Sequence, residues 1–471
     1  MAPDRDLVVV ANRLPVEETT NENGETGWSR APGGLVTALA PIMQKNNGVW
    51  VGWPGKAGLD LDPFTSEGID MHPVRLSKQD IKRYYEGFSN ATIWPLYHDV
   101  IVDPEYHRDW WTSYVEVNSR FAEATAEAAP RDALVWVQDY QLQLVPRMLR
   151  QLRPDLRIGY FHHIPFPPVE LLGQLPWRSE VVNGLLGADL VGFQRSGDAA
   201  NFLRAVRRFT EFSTRGSVAT IKRRSLPDRY VRAETFPISI DSAAFSALAS
   251  SPEVTERALQ LRAELGSPDV LLLGVDRLDY TKGIRHRIKA YGELLADGRL
   301  RAPSTTFVQV ASPSREDVEE YAELRRQVEV RVGRINGDYS ALGRPAIHYL
   351  HHSYPAEEMA AMYRAADVML VTALRDGMNL VAKEYVAARS DLDGVLILSE
   401  FAGAADELNQ ALLVNPHDIE GLKRTILTAI DMPHTERRRR MRALRRKVLD
   451  NDVDRWAQRF LAVLAGESTQ G

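Results

Sequence analysis

The sequence predicts an α/β protein built from two doubly wound domains, and three observations favour this fold class. The chain has 471 residues, more than one hydrophobic core usually organises, and this length suits two domains of roughly 200 residues each. Short β-branched runs alternate with longer segments of helical periodicity along the whole chain, a pattern typical of parallel sheets covered by helices. The alternation breaks once, in residues 238–265, where the small-residue stretch 241–252 lies. We therefore expect a hinge in that stretch.

The predicted strands form two series, one on each side of the break. Each run is apolar, rich in branched side chains and too short for a helix. The first series comprises residues 7–10, 48–52, 134–137, 157–161 and 190–193, followed by a strand-like run at 235–240. The second series comprises residues 270–275, 306–310, 347–350, 368–371, 395–398 and 412–414. Ligands of such sheets bind at the carboxyl ends of the strands, and the candidate functional residues follow such ends.

Composition excludes several classes of function. The chain contains no cysteine, which rules out disulfides, thiolate catalysis and cysteine-ligated metals. The N-terminus leads into the first strand without a basic flank or a cleavage site, so we expect no signal peptide. No apolar run approaches the roughly 18 to 20 residues that span a bilayer. A cytoplasmic protein without a membrane partner is therefore expected.

Charge argues against nucleic acid as a partner. The net charge is -5, so an anionic ligand has to be held by local cations. The basic run at 436–447 has Met441, Leu444 and Val448 at helical spacing, which predicts an amphipathic helix with a solvated basic face. Trp456, Phe460 and Leu464 predict a second amphipathic helix, over residues 453–464.

Residues 274–283 predict a phosphate-binding loop. An apolar strand leads into Arg277 and Lys282, five positions apart, and Gly283 opens the next helix. Two cations at the amino end of a helix form a plausible clamp for a diphosphate. The alternative is a surface salt bridge of these cations with Asp276 or Asp279.

Residues 374–384 predict a second oxygen-binding turn. Asp376, Gly377 and Asn379 precede an apolar helix, so several backbone amides at its positive end can face an anion or a sugar hydroxyl. Glu384, in about the first turn of that helix, can accept a hydrogen bond from a ribose diol. The alternative is that Asp376 and Glu384 are solvated charges at a helix start.

The first half of the chain holds three further candidate segments. The polar stretch 17–27 has almost nothing to bury and is predicted to be a mobile loop, followed by Gly33 and Gly34 before a helix. His162 and His163 are adjacent in a strand and face opposite sides, which argues against zinc. His163 is either a satisfied core or loop histidine or a polar contact to substrate. Residues 84–95 mix aromatic and polar side chains, which favours either sugar stacking or core packing.

Together, these motifs resemble the retaining trehalose-6-phosphate synthases, family 20 glycosyltransferases of the GT-B fold. The resemblance extends from residue 8 to about residue 464. The matching segments are Asn12-Arg13, Gly33-Gly34, Gly52-Trp53, residues 84–95, Gln138-Asp139-Tyr140, residues 163–167, residues 277–283, Ser314-Arg315, residues 333–337 and residues 375–384. It implies two Rossmann-like domains facing a central cleft, an acceptor-binding domain at 1–243 and a nucleotide-sugar-binding domain at 244–452. The remaining segment, 453–471, is expected to return as a helix to the first domain.

The resemblance also implies a reaction and a role for each candidate residue. Glucose would pass from UDP-, ADP- or GDP-glucose to glucose 6-phosphate with retention, giving α,α-trehalose 6-phosphate. The implied donor-binding residues are Gly34, His163, Arg277, Lys282, Asp376, Gly377, Met378, Asn379, Leu380, Val381 and Glu384. The implied acceptor-binding residues are Arg13, Trp53, Tyr85, Trp94, Asp139 and Arg315. The implied catalytic residues are Asp139, His163, Arg277, Lys282 and Asp376.

Charge matching is consistent with these roles. The two substrates carry about four negative charges, and Arg13, Arg277, Lys282 and Arg315 supply four cations, so we expect no cofactor and no required metal. The expected partners are the two small substrates, and a homo-oligomer is compatible with the sequence. Two alternatives remain at this stage: a pseudo-glycosyltransferase with another acceptor, and a non-catalytic regulatory homologue. Ala373, where a proline is common, and the long 17–27 segment are small departures from the family.

Overall fold

The computed structural model describes residues 6–20, 26–30, 34–45, 48–223, 226–315 and 318–467. The chain divides into two compact units, Met1–Ile238 with Asp454–Gly471, and Ser239–Val453. Each unit contains one large sheet, and the first also carries a separate two-stranded hairpin. No helix in the described ranges is both long and apolar enough to cross a membrane.

The strands of the first unit are β1 (Leu7–Arg13), β2 (Val16–Thr20), β3 (Thr26–Arg30), β4 (Val49–Trp53), β5 (Phe64–Ser66), β6 (Ile69–Pro73), β7 (Leu134–Gln138), β8 (Arg157–His162), β9 (Leu190–Phe193), β10 (Ser213–Arg215), β11 (Val218–Ile221) and β12 (Arg229–Thr235). Those of the second are β13 (Val270–Arg277), β14 (Thr305–Ser312), β15 (Ile347–Leu350), β16 (Val368–Val371), β17 (Val395–Ser399) and β18 (Leu412–Val414).

The helices are α1 (Gly34–Lys45), α2 (Lys78–Asp80), α3 (Trp94–Tyr97), α4 (Arg108–Ala128), α5 (Val145–Leu152), α6 (Val169–Leu172), α7 (Arg178–Leu185), α8 (Ser196–Phe209), α9 (Ser242–Ala249), α10 (Pro252–Glu264), α11 (Ile284–Ala296), α12 (Glu319–Tyr339), α13 (Ala356–Ala365), α14 (Leu380–Ala388), α15 (Ile419–Ile430), α16 (His434–Asp450) and α17 (Val453–Ala465). A π-helix spans Ile81–Ile93, and short 3₁₀ turns lie at Tyr140–Leu142, Tyr280–Lys282 and Gly403–Asp406.

The sheet of the second unit has the strand order of a dinucleotide-binding fold. Its order is β15-β14-β13-β16-β17-β18, and every pairing is parallel. From β13 the chain adds β14 and β15 on one side of that strand, and it then crosses back to add β16, β17 and β18 on the other side. Ligands bind at this kind of switch point, so the loops after β13 and β16 are the expected binding region of this unit.

The large sheet of the first unit repeats the arrangement at its centre. The strands β12-β9-β8-β7-β1-β4-β6 are neighbours in that order and run parallel. Here the switch point lies between β1 and β7. The strands β5, β10 and β11 extend the edges in antiparallel pairings. The α/β fold class predicted from the sequence is therefore confirmed, with a doubly wound sheet in each unit.

Most of the apolar runs of the sequence are central strands, which are covered on both faces. All five residues of β7 and of β17 are buried, as expected for parallel strands covered on two sides. Each predicted run in the two series corresponds to an observed strand. The strand-like run at 235–240 is an exception: the strand is β12, which ends at Thr235, and residues 236–240 are outside any strand.

The small-residue stretch 241–252, in which the sequence analysis placed a hinge, contains α9 and the start of α10. Its small residues are compatible with helix, and Asp241 and Ser251 cap the two helices by accepting hydrogen bonds from the amides of Ala244 and Val254. The chain leaves the first unit at Ile238 and returns to it at Asp454.

The polar stretch 17–27, which the sequence analysis predicted to be a mobile loop, belongs to a hairpin where the structure describes it. β2 and β3 pair antiparallel, from Val16 opposite Arg30 to Thr20 opposite Thr26, and residues 21–25 lie outside the described part. The hairpin does find something to bury, because the ring of Trp28 stacks on Phe64 with centroids 4.8 Å apart.

The last two helices pack into different units. α16 buries Met441, Leu444 and Val448 within the second unit. α17 packs within the first, where the ring of Phe460 stacks on Trp136 at 4.4 Å. Its Trp456 Nε1 donates to the carbonyl of Phe236 at 3.1 Å.

Candidate functional site

The loops after β13 and β16 are joined at the switch point of the second unit. Gly283 has a φ of +63°, and a Cβ there would lie 2.0 Å from the carbonyl oxygen of Thr372. Only glycine permits both this backbone conformation and this close approach. The amide of Leu374 donates to the carbonyl of Thr281 at 2.6 Å. The two segments that the sequence singles out are therefore in direct contact.

Lys282 pairs with Asp376 across these loops. The Nζ of Lys282 lies 2.6 Å from Oδ2 of Asp376, and their side chains are 13% and 15% exposed. Asn379 Nδ2 also donates to this oxygen, at 3.1 Å. The sequence analysis assigned Lys282 to phosphate and Asp376 to sugar without predicting their mutual contact. The predicted alternative, a salt bridge of Lys282 with Asp276 or Asp279, is not the pairing observed.

Asp276 and Asp279 have other cationic partners. Asp276 pairs with the fully buried Arg287, and burial raises its pKa despite that partner. Asp279 lies 3.6 Å from Nη1 of Arg315. Burial opposes ionisation of Asp279, but the charges of Arg315 and its neighbouring cations prevail and lower its pKa. These carboxylates hold arginines in place near the loops.

Arg315 is held rigidly after β14. Its φ is +51°, its side chain is only 7% exposed, and its guanidinium donates to the hydroxyl of Tyr321. That hydroxyl in turn donates to Asp279 at 3.1 Å. The sequence analysis missed Tyr321 and Asp279 as supports of Arg315. Tyr321 lies only six residues after Arg315, but on the following helix, and Asp279 belongs to the distant loop after β13, so no sequence pattern links the three.

The turn after β16 is fixed from two sides. The amide of Asp376 donates to the carbonyl of Phe401, and the amide of Gly403 to the carbonyl of Asp376, each at 3.2 Å. A Cβ on Gly403 would lie 1.9 Å from the carbonyl oxygen of Gly377. Asn379 caps α14 by accepting from the amide of Ala382 at 3.0 Å. The segment Gly377, Met378, Asn379, Leu380 and Val381 therefore presents the amino end of α14.

Glu384 is the fifth residue of α14, just past its first turn. Tyr363 donates its hydroxyl to Oε2 of Glu384 at 2.9 Å. Burial raises the pKa of Glu384 above the usual range of a glutamate, although this hydrogen bond acts in the opposite direction. The carboxyl is thus a buried, hydrogen-bonded group rather than a solvated charge at a helix start, and Tyr363 is a supporting residue that the sequence did not reveal.

In the first unit, Arg13 ends β1 and lies over the ring of Trp53. The guanidinium carbon is 4.9 Å from the ring centroid, a cation–π geometry. Gly55 has a φ of +94°, and a Cβ there would lie 2.4 Å from Nη2 of Arg13. The ring of Tyr85 lies 6.4 Å from that of Trp53. Arg13, Trp53 and Tyr85 thus form one cationic and aromatic group, in which Arg13 is exposed, Tyr85 partly exposed and Trp53 buried.

The segment 84–95 divides between the two predicted alternatives. Most of it lies in the π-helix Ile81–Ile93, in which Tyr84, Phe88 and Ile93 are fully buried and Tyr85 is partly exposed. Trp94 is 4% exposed and packs 5.7 Å from the ring of Tyr140. Core packing therefore accounts for most of the segment and leaves Tyr85 as its accessible candidate. π-Helices are rare and often occur at functional sites.

Asp139 and His163 meet at the ends of β7 and β8. The amide of His163 donates to Oδ1 of Asp139 at 3.1 Å, and His163 Nε2 lies 2.9 Å from Oε1 of Gln138. Burial lowers the pKa of His163 to about 3, so this imidazole is neutral at physiological pH. Asp139 has a φ of +71° and a ψ of 172°, a region that residues other than glycine rarely adopt.

His162 contacts a different set of residues. Its Nδ1 lies 3.0 Å from the hydroxyl of Tyr160, and its ring packs against Phe166 and Phe193. Among the residues that the structure describes, no cluster of three or more histidine, cysteine or acidic side chains could hold a metal ion. Gly34 begins α1, and Gly33 lies outside the described residues.

The candidate residues therefore lie in both units. The first unit contains Gly34, Arg13, Trp53, Tyr85, Trp94, Asp139 and His163, and the second contains Arg277, Lys282, Arg315, Asp376, residues 377–381 and Glu384. In chemical terms, the second group combines cations with the amino end of a helix, which suits an oxyanion. The first combines an arginine, aromatic faces and a carboxylate.

Comparison with known proteins identifies one matching family and several similar proteins. Residues 5–466 match the family described as "Glycosyltransferase family 20". A trehalose-6-phosphate synthase of Mycobacterium avium (strain 104) is 60% identical over 468 residues, covering 98% of this chain and 95% of that protein. A UDP-forming α,α-trehalose-phosphate synthase from Burkholderia xenovorans, solved in complex with glucose-6-phosphate, is 35% identical with a TM-score of 0.88 and covers 98% of this chain and 100% of its own. An E. coli structure bound with UDP-2-fluoro glucose is 34% identical, with a TM-score of 0.88 and 98% of both chains covered.

Proposed function

Because the chain belongs to glycosyltransferase family 20 and has the GT-B fold, we propose that it transfers glucose from a nucleotide-diphosphate glucose to glucose 6-phosphate. The product is α,α-trehalose 6-phosphate, and the enzyme is a hexosyltransferase of trehalose biosynthesis. The observation that carries the proposal is the family match over residues 5–466, within which the candidate side chains for both substrates are present. The alternatives of a different acceptor or a regulatory homologue are not favoured.

The second unit contributes the groups for the donor. Arg277 and Lys282 would hold the diphosphate, and Asp376 with the amides of residues 377–381 would hold the glucose. Glu384 would accept hydrogen bonds from the ribose hydroxyls when ionised. An incoming diphosphate would compete with Asp376 for the ammonium of Lys282, which frees the carboxylate for sugar hydroxyls. The contact of Lys282 with Asp376 at 2.6 Å supports this exchange of partners.

The acceptor requires a phosphate site and a sugar site. Arg13, Tyr85 and Arg315 would bind the phosphate, while Trp53, Trp94 and Asp139 would orient the sugar, with Gly34 beside the donor. The neutral imidazole of His163 supports a hydrogen-bonding role toward the donor glucose rather than a cationic one.

The chemistry would proceed with retention at the anomeric carbon. The bond from glucose C1 to the β-phosphate oxygen breaks, and C1 bonds to the anomeric oxygen of the acceptor on the same face. The acceptor proton passes to the departing β-phosphate. Arg277 and Lys282 stabilise the negative charge on that group, so the rate enhancement comes mainly from positioning and electrostatics. We keep the expectations from the sequence that no metal is required and that the protein is cytoplasmic. Self-association is compatible with the sequence.

An assay of product formation tests the proposed function. The full chain is incubated with glucose 6-phosphate and, in turn, with UDP-, ADP- and GDP-glucose, each with and without EDTA. We expect trehalose 6-phosphate with at least one donor, and unchanged rates in EDTA. Failure to form the product with all three donors would refute the proposal, and loss of activity in EDTA would refute the expectation about metal.

A further inference from the structure

A basic cavity lies in the second unit, among residues for which the proposed reaction has no role. It has a volume of about 520 Å³ and is formed by α11, α12 and the start of α15. Five cationic side chains line it: Arg285, Lys289, Arg326, Arg331 and Arg334. Two histidines line it as well, and its described lining includes no carboxylate.

Most of this positive charge is not neutralised locally. Arg326 pairs with Glu323, and Lys289 lies 3.8 Å from Glu293 in an exposed contact. Arg285 donates to the neutral amide of Gln327. Arg331 donates to the backbone carbonyl of Arg285 at 3.1 Å.

Arg334 is the clearest case of an unneutralised charge. Within the described ranges of the chain, it has neither a hydrogen bond nor an ion pair. It belongs to the segment 333–337, a motif that the proposed reaction does not use. In that motif Asn336 has a structural role, since its side chain bonds both the amide and the carbonyl of Ile347. Arg334 is exposed and has no comparable structural task.

The spacing of the cations is unfavourable for the protein alone. Arg285 and Lys289 are four residues apart on α11, and Arg331 and Arg334 are three apart on α12. Like charges at these spacings lie on the same helix face and destabilise a helix. The two faces also meet each other, as the hydrogen bond from Arg331 to Arg285 demonstrates. A bound anion would relieve this repulsion.

A buried polar atom in the cavity wall provides a second indication. His286 lines the cavity, and its Nδ1 is buried without a hydrogen-bond partner among the described residues. Burial, followed by the neighbouring His417 and the surrounding cations, lowers the pKa of His286 to about 4. The rings of His286 and His417 are 5.6 Å apart. An oxygen-rich ligand would bring hydrogen-bonding groups close to this atom.

We infer that this cavity binds a small anion carrying at least two phosphate groups, at a site separate from the residues assigned to the two substrates. Several fixed cations match a multiply charged ligand better than a single carboxylate. The volume lies within the range of roughly 300 to 1,000 Å³ that small-molecule pockets occupy. A nucleic acid would instead require an extended basic surface, and Glu323 and Glu293 interrupt the positive charge here.

Titration calorimetry with inorganic pyrophosphate tests the site in the full-length protein. Pyrophosphate can also occupy the proposed donor clamp, so the two sites are separated by variants. R331E/R334E alters the cavity, R277A/K282A alters the clamp, and R131E/R147E makes the same charge change at exposed arginines of the first unit. Circular dichroism and turnover without pyrophosphate check that R331E/R334E is folded, and R331Q/R334Q replaces it if it is not.

We expect R277A/K282A to retain pyrophosphate binding when saturating glucose 6-phosphate occupies the proposed acceptor phosphate site. Addition of the cavity substitutions should weaken that binding on the order of a hundredfold, about tenfold for each charge-assisted bond. R131E/R147E should bind as the unmodified protein does. Unchanged pyrophosphate binding in R331E/R334E combined with R277A/K282A would overturn the inference. Cavity-dependent binding of an RNA oligonucleotide without any binding of pyrophosphate would also overturn it.

Discussion

At the scale of single residues, Asp139 combines an unusual backbone conformation with a proposed catalytic role. Its φ of +71° and ψ of 172° belong to a region that costs a residue other than glycine about 1 to 3 kcal/mol. Its Oδ1 accepts a hydrogen bond from the amide of His163. Such strain persists where the surrounding structure and the function require it.

Two substitutions at Asp139 separate strain from chemistry. Asp139→Ala loses the carboxylate and keeps the strained conformation, whereas Asp139→Gly loses the carboxylate and relieves the strain. We expect both variants to lose most of their turnover, and the glycine variant to be more stable than the alanine variant by about 1 to 3 kcal/mol. Urea unfolding and steady-state kinetics measure the two effects. Equal stabilities would show that the conformation is not strained.

Arg315 allows the proposed acceptor site to be tested. Arg315→Ala removes the proposed phosphate contact and leaves the buried Asp279 without one of its cations, so we expect a lower melting temperature together with a KM for glucose 6-phosphate raised about tenfold or more. The KM for the nucleotide sugar should change little. Arg315→Lys retains the charge and should recover stability more fully than acceptor affinity, because lysine lacks the planar fork of arginine.

The contrasting substitution is Arg277→Ala. Its side chain is exposed, so we expect little loss of stability but a loss of about 2 to 4 kcal/mol of transition-state stabilisation. If Arg315→Ala left the KM for glucose 6-phosphate unaltered, the phosphate role of Arg315 would be excluded. If Arg277→Ala left turnover unchanged, the role of Arg277 in holding the diphosphate would be excluded.

At the scale of elements, Gly283 determines how α11 begins beside β16. Gly283→Ala imposes a φ of +63° on alanine and places a Cβ 2.0 Å from the carbonyl oxygen of Thr372. Gly298→Ala is a matched control, because its φ is +68° and no atom lies within 4 Å of the added carbon. We expect the control to cost about 1 kcal/mol and Gly283→Ala to cost several kcal/mol more, through overpacking. Chemical unfolding of both variants provides the comparison, and equal losses would mean that the close contact relaxes without cost.

The sequence predicted all six strands of the second sheet and the central strands of the first, but not the edge strands of the first. β7 and β13 are buried on two faces and therefore appear as continuous apolar runs. By contrast, β6 contains Asp70 and His72, and β10 contains only polar residues. These strands of the first sheet have no such run, so pairing with a neighbouring strand decides their structure.

The candidate site shows the same limit. Residues such as Arg277, Lys282 and Asp376 were found because each follows a strand and lies beside a glycine or a helix start. Their partners were not found: the contact of Lys282 with Asp376 joins residues 94 positions apart, and that of Tyr363 with Glu384 joins different helices. The π-helix Ile81–Ile93 was also missed, since its pattern of i→i+5 hydrogen bonds has no distinct side-chain periodicity in a short segment.

At the scale of the whole molecule, the chain order and the unit boundaries do not coincide. α16 and α17 are consecutive, yet α16 packs in the second unit and α17 in the first. Phe460 of α17 stacks on Trp136, and the added Cβ atoms of Gly159 and Gly192 would each lie 2.8 Å from its ring. The two glycines therefore provide the space that this ring fills. The core of the first unit thus includes a helix that follows the whole second unit in the chain.

Paired core substitutions in these two helices test whether the units are energetically separate. Phe460→Ala should destabilise the first unit by about 3 to 5 kcal/mol, and Leu444→Ala should destabilise the second by about 2 to 5 kcal/mol, since both side chains are almost fully buried. Native-state hydrogen exchange reports the effect on each sheet: Phe460→Ala should reduce protection of β7 and β8, and Leu444→Ala that of β16 and β17. If either variant lowered protection equally in both sheets, the two units would unfold as one, and the separate stabilisation by α16 and α17 would be disproved.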